Sequence, residues 1–331
     1  VLFRSTNGIP LIILSQVYPG FTRSLKLHFP IFNMVETLVF GNALDRALNP
    51  DQIVIGTSDV EGDIPKSITS LLSVFDVDIL YMNHESAELA KISINFMLFL
   101  SVLGANFLSS IAENIDANWS EVKKVLRNDP RIGRYAYLDS GLGVSGDNLP
   151  RDLRVLSKQA SDLPDYYSGF INNLINFNSN LIDWVKQAVT KLTNSPKIQT
   201  SNIGVLGITY KPNTGSITNS LSIRLFENLP NSTFFAFDPK ISSLPGFKHV
   251  KIMKSIQDVI REVQVVVLMT PWPEIINEFV LNREDFKDKV IIDPMCSLPV
   301  DIDQHFNLIV RRGENSLKFT REINADKECE H

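Results

Sequence analysis

The sequence predicts an α/β protein with two Rossmann-like parallel sheets, the first truncated, joined by a long central helix and a helical middle domain. Short apolar segments alternate with helical segments near both ends of the chain. About thirty residues starting at His84 contain no proline and one glycine, as in a long helix. Residues 193–201 are rich in turn formers. The predicted domains are therefore residues 1–84, 85–195 and 196–331.

The composition is typical of a globular protein with a large core. Of 331 residues, 44% are hydrophobic and 21% are charged. The net charge is −5 and no cluster of lysine and arginine stands out, so we expect no nucleic-acid partner. The two cysteines, Cys296 and Cys329, are too few for a disulfide scaffold, and we find no signal peptide. These features favour a cytoplasmic protein.

The first part of the chain alternates strand-like and helix-like segments, which is typical of a parallel sheet. A dinucleotide-binding half-domain also needs a first strand and a glycine-rich turn, and nothing before Pro10 supplies them. We therefore expect only the later elements of such a domain. The predicted strands are residues 10–17, 52–56 and 78–82, and the predicted helices are residues 36–48 and 65–75.

The long helix carries three polar residues on an otherwise apolar surface. At about 100° per residue, Glu88, Lys91 and Asn95 fall within about 60° of one another. Burying an unpaired charge costs several kcal/mol, so this stripe must face partners, water or a ligand. An ion pair between Glu88 and Lys91 at a solvated first turn would leave Asn95 unexplained. Together with Asn106, these residues interrupt the apolar run, which favours a core helix over a membrane span.

The middle of the chain is mostly helical. A helix is predicted at residues 119–127, preceded by Asn118 and with Ser120 as an N-cap candidate. A loop with three glycines follows and leads to Pro150, where the next helix is expected to begin. Residues 150–193 have a helical pattern with one interruption near Pro164.

The last third predicts a second doubly wound sheet. Its strands are residues 203–208, 233–238, 264–270, 289–293 and 308–311, and its first loop and helix are residues 209–216 and 220–229. Ligands of such sheets lie outside the carboxyl ends of the strands. Asp238 follows one strand and is a weak candidate to hold a ribose hydroxyl, because no glycine fingerprint accompanies it.

Several stretches, in order along the chain, resemble the UDP-glucose/GDP-mannose dehydrogenase family. Residues 88–95 match its E-L-x-K-x-x-x-N pattern, and residues 141–152, GLGVSGDNLPRD, resemble its G-x-G-x-G-G-S-C-F-P-K-D loop. Residues 15–22, 36–56 and 206–220 resemble three further family segments. The resemblance runs from Ile12 to Arg312 and implies that the first half of the NAD-binding domain, with the main phosphate-binding part of the cofactor site, is missing.

The resemblance implies NAD-dependent oxidation of a nucleotide sugar at C6 and gives the matching residues their roles. Lys91 and Asn95 would hold the reacting oxygen and a water, with the ammonium of Lys91 stabilising the developing oxyanion. Glu36 would act as a general acid/base through water in the later, hydrolytic step. Asp152 would accompany the nucleophile, at the position of which this chain has Asn148.

The resemblance also implies binding residues. Arg131 would reach the substrate of a neighbouring subunit, which implies a homodimer through the central helical domain. The NAD site would include Ser15, Gln16 and Thr218. The substrate contacts would be Leu38, Arg131, Gly143, Gly146 and Lys211, with the cation of Lys211 near the pyrophosphate.

The departures from the family pattern bear on the chemistry. The family's second oxidation needs a cysteine thiolate, which forms a thiohemiacetal and then a thioester; the amide of Asn148 closes that route. Neither Cys296 nor Cys329 is expected to replace it. Phe40 and Ser216 stand where relatives have Glu and Asp, and Thr218 stands where relatives have an arginine near the cofactor.

Three functions remain open from the sequence. The first is a divergent nucleotide-sugar dehydrogenase that stops at the two-electron alcohol/aldehyde step. Under this function and the next, this fragment by itself would be inactive. The second is a non-catalytic paralogue that binds a nucleotide sugar or pairs with an active subunit. The third is a hydroxyacid or 6-phosphogluconate-type dehydrogenase, whose members lack the domain that carries Lys211. Taken alone, Lys211 is also compatible with a solvated loop lysine, and the glycine loop with a simple turn before a helix.

Overall fold

The computed structural model describes residues 9–35, 38 and 43–313. The chain divides into two compact units, Val1–Met97 and Leu98–His331, and each unit has its own sheet. Helix α4, His84–Asn114, begins in the first unit and ends in the second. The three-part division at residues 84/85 and 195/196 stays a prediction.

The first unit contains a four-stranded sheet of order β1-β2-β3-β4. Its elements are β1 Leu11–Ile13, α1 Phe21–Ser24, β2 Ile31–Val35, α2 Ala43–Leu48, β3 Ile53–Thr57, α3 Lys66–Leu72 and β4 Ile79–Asn83. The first predicted strand is thus shorter than residues 10–17, and β2 was not predicted as a strand. Much of the helix predicted at residues 36–48 lies outside the described residues.

The first sheet is parallel, as predicted, except at one pair of strands. β1 and β2 are parallel, as are β3 and β4, but β2 and β3 are antiparallel, with Asn33 opposite Gly56. A parallel connection needs a crossover that packs on the sheet. Helix α2, between these strands, has no buried residue and does not pack in this way. A short apolar run has the same periodicity in either strand direction, so the sequence did not reveal the reversal.

Alternate residues of β3 pack on opposite faces of the first sheet. Ile53 and Ile55 belong to a core cluster with Ile68 and Leu72 of α3. Val54 packs on the other face, in a cluster with Ala87 of α4. Fully burying each such aliphatic side chain contributes about 1.5–3 kcal/mol. The start of α4 is thereby fixed against the sheet.

The helical segment of the second unit follows the end of α4. Its helices are α5 Trp119–Asn128, α6 Asn148–Gln159, α7 Asp165–Asn180 and α8 Asp183–Thr193. Asn118, not Ser120, caps α5, because its side chain accepts a hydrogen bond from Ser120 N. Helix α6 begins two residues before Pro150, and the region to residue 193 is interrupted twice, not once as predicted.

The second sheet has six parallel strands in the order β7-β6-β5-β8-β9-β10. This is the Rossmann order, with the topological switch point between β5 and β8. The elements are β5 Asn202–Leu206, α9 Leu221–Asn228, β6 Thr233–Phe237, β7 Val250–Ile252, α10 Ile256–Glu262, β8 Val265–Leu268, α11 Pro273–Leu281, β9 Val290–Asp293 and β10 Leu308–Arg311. The sequence did not predict β7, which has three residues of which only Val250 is buried.

Both faces of the second sheet are buried. Val265 and Val267 pack in a core cluster with residues of α8 and α9, and Val266 and Leu268 pack in a second cluster with residues of α10 and α11. Strands buried on both faces read as continuous apolar runs, which is why the sequence predicted most of them. The carboxyl ends of these strands are therefore rigidly supported.

Candidate active site

A small cavity in the first unit brings together Ser15 and Gln16, which follow β1, with Glu88 and Lys91 of α4. Three of these residues were predicted to act in catalysis or cofactor binding: Ser15, Gln16 and Lys91. Lys91 and Asn95 are both half-buried on successive turns of α4. The carboxyl end of β1 and the first turns of α4 thus form one candidate site.

Hydrogen bonds from backbone N–H groups explain why the carboxylate of Glu88 can be buried. It is 3% exposed, and its two carboxylate oxygens accept hydrogen bonds from Gly20 N at 2.6 Å and Thr22 N at 2.8 Å. Charge-assisted bonds of this kind offset the desolvation of a buried carboxylate. The alternative from the sequence, an ion pair between Glu88 and Lys91 at a solvated first turn, therefore does not fit the surroundings of Glu88. The residue instead fixes the loop after β1 against α4.

His84, the first residue of α4, is buried and hydrogen-bonded to a neighbouring strand. Its Nδ1 lies 2.7 Å from Oδ1 of Asn33, a buried residue of β2. Burial lowers the pKa of His84 below its ordinary value, and the charge of Arg23 lowers it further, while Glu88 and Glu85 act in the opposite direction. His84 is thus neutral at physiological pH and holds α4 on the sheet.

In the second unit, side-chain amides fix the glycine loop. Gly141 N donates to Oδ1 of Asn106 at 3.0 Å. Asn178 binds Val144 twice, accepting from its N–H at 2.7 Å and donating to its carbonyl at 3.0 Å. Gly143 has a φ of 82°, and a Cβ there would lie 2.4 Å from Oδ1 of Asn178. The loop therefore requires glycine at this position.

The loop after β5 packs on the end of the glycine loop. Ser145 Oγ donates to the carbonyl of Tyr210 at 3.0 Å, and Asn219 Nδ2 donates to the carbonyl of Gly146 at 3.0 Å. The ammonium of Lys211 lies 5.3 Å from the centre of the Tyr210 ring, within cation–π range. These contacts hold the two loops together.

The two loops enclose a cleft of about 530 Å³, in the usual range for small-molecule sites. The structure brings four predicted site residues into its lining: Gly146, Asn148, Lys211 and Thr218. Asn148 is exposed and is the first residue of α6. Ser216 also lines the cleft, and its Oγ accepts from Thr218 N at 3.3 Å. Three positions that depart from the family pattern, Asn148, Ser216 and Thr218, thus line the same cleft.

The other residues that the sequence predicted for the site have different surroundings. Asp152 is buried on α6 and accepts from Nε of Arg151 at 3.3 Å. Arg131 has an 86% exposed side chain whose guanidinium is paired with Asp129. Leu38 is 44% exposed. Glu36, Phe40 and Cys329 lie outside the described residues.

Asp238 does not present its carboxylate to a ligand. It is buried, and its Oδ2 accepts from Ile208 N, Thr209 N and Trp272 Nε1 at 2.7–3.2 Å, while its Oδ1 accepts from Lys240 N at 2.8 Å. These donors from the protein itself occupy the oxygens that a ribose hydroxyl would need. Asp238 therefore organises the loop that carries Lys211, and the sequence-based expectation for it is not supported.

Sequence reasoning missed three residues that shape the cleft. Asn106 and Asn178 are buried amides on helices, and Tyr210 packs against Gly146. Asparagine is a weak helix former, so a buried one inside a helix was a signal that its side chain serves another element. No sequence pattern indicated which backbone groups it would bind.

The second sheet has the doubly wound strand order, in which ligands bind outside the carboxyl ends of the strands, so the fold is that of a Rossmann-like α/β protein. The family model of the central domain of the UDP-glucose/GDP-mannose dehydrogenase family matches residues 85–180. The model of the UDP-binding domain of the same family matches residues 204–298, and the two ranges together cover more than half of the chain. The chain belongs to the UDP-glucose/GDP-mannose dehydrogenase family.

Individual relatives agree with this family. YtcA of Bacillus subtilis is 28% identical over 287 residues, which are 84% of this chain and 66% of YtcA. TuaD, a UDP-glucose 6-dehydrogenase of the same organism, is 26% identical over 305 residues, covering 87% of this chain and 65% of TuaD. The chain thus spans about two thirds of the length of these relatives.

A solved structure shows the same fold. The UDP-glucose dehydrogenase of Pyrobaculum islandicum superimposes with a TM-score of 0.75 at 24% identity, covering 91% of this chain and 69% of that one. At this level of identity the likeness bears on the fold. The sequence-based prediction of the fold class, two sheets with a long central helix, is confirmed.

Proposed function

We propose that this protein, in the longest form that its gene encodes, carries out NAD-dependent oxidation of a nucleotide sugar at C6, limited to the two-electron alcohol/aldehyde step. The observation that carries the proposal is the cleft that joins the glycine loop, Asn148 and Lys211. Its volume suits part of a nucleotide sugar, and a cation on its wall suits a diphosphate. UDP-glucose and UDP-N-acetylhexosamines are the substrates that we would test first.

The residues of the first unit supply the chemistry in this proposal. The ammonium of Lys91 stabilises the alkoxide that forms when the C6 hydroxyl gives its proton to water, and the Asn95 amide helps to hold that oxygen. A bound NAD would supply the acceptor for the hydride that then leaves C6. Ser15 and Gln16 share the cavity of Lys91 and offer a hydroxyl and an amide, groups that suit the sugar and carboxamide of a nicotinamide cofactor.

The limit to two electrons follows from Asn148. An aldehyde is oxidised further when a thiolate adds to it and gives a thiohemiacetal that can release a second hydride. The amide of Asn148 has no comparable nucleophile. Asp152 lies buried one turn further along α6, so its carboxylate is retained while the nucleophile is not.

A homodimer through the central helix is part of the proposal. Helix α4 is long and apolar enough to cross a bilayer by length and composition, yet only 33% of its most apolar window is buried within this chain. On its second half, Phe107, Leu108 and Ile111 are each 44–54% exposed, and Ile115, directly after the helix, is 66% exposed. This spacing places them on one side of the helix, where a second copy would cover them.

We place the protein in the cytoplasm.

The proposal is tested by measuring NADH formation and identifying the product with a panel of UDP- and GDP-sugars. The protein used is the longest form that its gene encodes. We expect one NADH per sugar oxidised and a trapped C6 aldehyde. A uronate product would refute the two-electron limit. Loss of NADH formation in Lys91→Met, with unchanged nucleotide-sugar binding, would support the assigned role of Lys91.

A second function is favoured by one observation. Asn148, Ser216 and Thr218 replace three family residues and line the same cleft, as expected if chemistry but not binding had been lost. This predicts a non-catalytic paralogue that binds a nucleotide sugar or pairs with an active subunit. Binding of a UDP-sugar without any NADH formation would favour the non-catalytic paralogue over the dehydrogenase.

A further inference from the structure

A cavity of about 570 Å³ in the second unit lies beside the first half of the glycine loop. Gly141, Leu142 and Gly143 line it, whereas residues 145–149 of the same loop line the cleft of Lys211. Its volume is in the usual range for small-molecule sites. The cavity and the cleft are therefore neighbours along one loop, and a ligand that fills the cleft can extend into the cavity.

One wall of this cavity lies at the carboxyl ends of two strands of the second sheet. Pro271 follows β8, and Met295 and Ser297 follow β9; all three line the cavity. The model of the UDP-binding domain matches residues 204–298, a range that contains these three. Ligands of doubly wound sheets bind at such strand ends. The cavity thus has the position expected for part of a nucleotide.

Two tyrosines line the open side of the cavity. Tyr135 is 88% exposed and Tyr137 is 50% exposed. Aromatic side chains stack on nucleobases of any kind, because every base has a flat π-face. The tyrosines therefore suit a nucleobase but cannot select one. Selection must come from polar groups of the wall that meet the edge of the base.

The carboxylate of Asp139 is the polar group of the wall that can meet the edge of a nucleobase. Asp139 lines the cavity, and its side chain is 67% exposed. Its Oδ1 accepts from Nζ of Lys123 at 2.6 Å, and Nη2 of Arg127 lies 3.3 and 3.4 Å from its two oxygens. A carboxylate can accept about four hydrogen bonds. Within the described part of the chain, Oδ2 has only the long contact with Arg127, so it has room for a donor from a ligand.

Asp139 is ionised at physiological pH. Burial raises the pKa of its carboxyl group, but the hydrogen bond from Lys123 and the charges of Lys123 and Arg127 outweigh burial and hold the pKa below its ordinary value. An ionised carboxylate only accepts hydrogen bonds. It therefore favours a base that presents an N–H group and repels the lone pair of an unprotonated ring nitrogen.

We propose that Asp139 selects a nucleobase that has a ring N–H group beside a carbonyl; this inference rests on the proposed function. The N–H group donates to Oδ2 of Asp139, and the carbonyl accepts from the guanidinium of Arg127. Uracil and guanine present both groups. Cytosine and adenine present an unprotonated ring nitrogen beside an amino group, so the carboxylate would face a lone pair and the guanidinium would face N–H groups. The protein thus favours UDP- or GDP-sugars over CDP- or ADP-sugars.

The test is calorimetric titration of the longest form of the protein that its gene encodes, with UDP and CDP as one pair and GDP and ADP as the other. The variant is Asp139→Asn, which keeps the size of the side chain. Lys123 and Arg127 bind its amide oxygen, so its NH2 group faces the base. The control is Asp258→Asn, since Asp258 also pairs with an arginine, at 3.3 Å, but on α10 and outside the lining of the cavity. Thermal unfolding without nucleotide checks that both variants are folded.

We expect the parent protein to bind UDP more tightly than CDP, or GDP more tightly than ADP, by about tenfold or more. This ratio should fall about tenfold or more in Asp139→Asn and stay unchanged in the control. Tighter binding of UDP than of GDP would identify a uracil nucleotide, and the reverse a guanine nucleotide. Equal binding within both pairs, an unchanged ratio in Asp139→Asn, or binding of no nucleotide would overturn the inference. Because this experiment reads binding alone, a failure of the proposed oxidation would leave its result unaffected.

Discussion

The ring of Tyr210 lies so close to Gly146 that a Cβ added at Gly146 would stand 2.8 Å from a ring carbon. Gly146 also has a φ of 79°. Tyr210 follows the second sheet's first strand, and Gly146 closes the glycine loop before α6. This contact therefore adds to the two hydrogen bonds that join the loops of the cleft of Asn148 and Lys211.

The first prediction concerns this contact. Gly146→Ala should destabilise the protein by about 1–3 kcal/mol and weaken UDP binding at least about tenfold, because the alanine is strained at this φ and displaces the Tyr210 ring. Urea unfolding and calorimetry measure the two effects. Gly215→Ala is the control, because a Cβ at Gly215 meets no atom within 4 Å. Equal effects of the two substitutions would contradict the role of the contact.

The second prediction concerns the buried carboxylate of α4. Glu88→Gln should lower the free energy of unfolding by about 1–3 kcal/mol, since an NH2 donor would replace one of the two oxygens that accept from Gly20 N and Thr22 N, and would face an N–H group. Glu85→Gln removes a carboxylate one turn earlier, at an exposed pair with Arg23, and should cost no more than about 1 kcal/mol. Urea unfolding of both variants gives the comparison. A larger effect at Glu85 than at Glu88 would be inconsistent with this account.

The third prediction concerns pH. Burial, and then the charge of Arg23, lower the pKa of His84 below 6.5 in the folded protein. The unfolded chain therefore binds more protons than the folded protein as pH falls below 6.5, and the free energy of unfolding decreases with it. His84→Asn keeps a polar group beside Asn33 and should remove this part of the pH dependence. Urea unfolding across this pH range tests it, with His28→Asn, at an exposed site, as the control. An unchanged pH dependence in His84→Asn would refute the assignment.

The fourth prediction concerns the exposed apolar side of α4. Ile111→Asp should convert the expected dimer to a monomer, because a carboxylate would be desolvated in the interface. Leu281→Asp is the control: Leu281 is 77% exposed at the end of α11. Light scattering after size-exclusion chromatography gives the mass of each protein. A monomeric parent protein, or a dimer that persists in Ile111→Asp, would exclude this interface.

Much of the fold could be predicted because its strands are buried on both faces. Runs such as that of β8, Val265–Leu268, have no polar residue. The antiparallel pairing of β2 and β3 could not be predicted, because periodicity does not report strand direction. The short β7 could not be predicted either, since one buried residue leaves no pattern.

The candidate site was predictable only where side-chain type carries the chemistry. Lys91 and Asn95 could be predicted as site residues because polar side chains on an otherwise apolar helix must face partners, water or a ligand. Asn178 did not, because its role depends on a loop more than thirty residues away along the chain. The hydrogen bonds from backbone N–H groups to Asp238 could not be predicted either, because the sequence shows a carboxylate but not which groups surround it.

The last prediction tests the limit that Asn148 imposes on the chemistry. Asn148 is exposed in the cleft at the start of α6, and Asp152 lies one turn along the same helix. A cysteine at this position would have its thiolate favoured by the helix N-terminus, which lowers a thiol pKa. Asn148→Cys should therefore raise the yield from one NADH per sugar to two and change the product from aldehyde to uronate.

The matched control is Asn148→Ser, which has similar size to cysteine but lacks a nucleophile that ionises readily. NADH stoichiometry and mass spectrometry of the product separate the two variants. Two NADH per sugar from Asn148→Cys but one from Asn148→Ser would show that the missing thiolate sets the limit. If Asn148→Cys still gives one NADH and the aldehyde, the limit lies elsewhere in the cleft, and Ser216 and Thr218 are the positions to restore next.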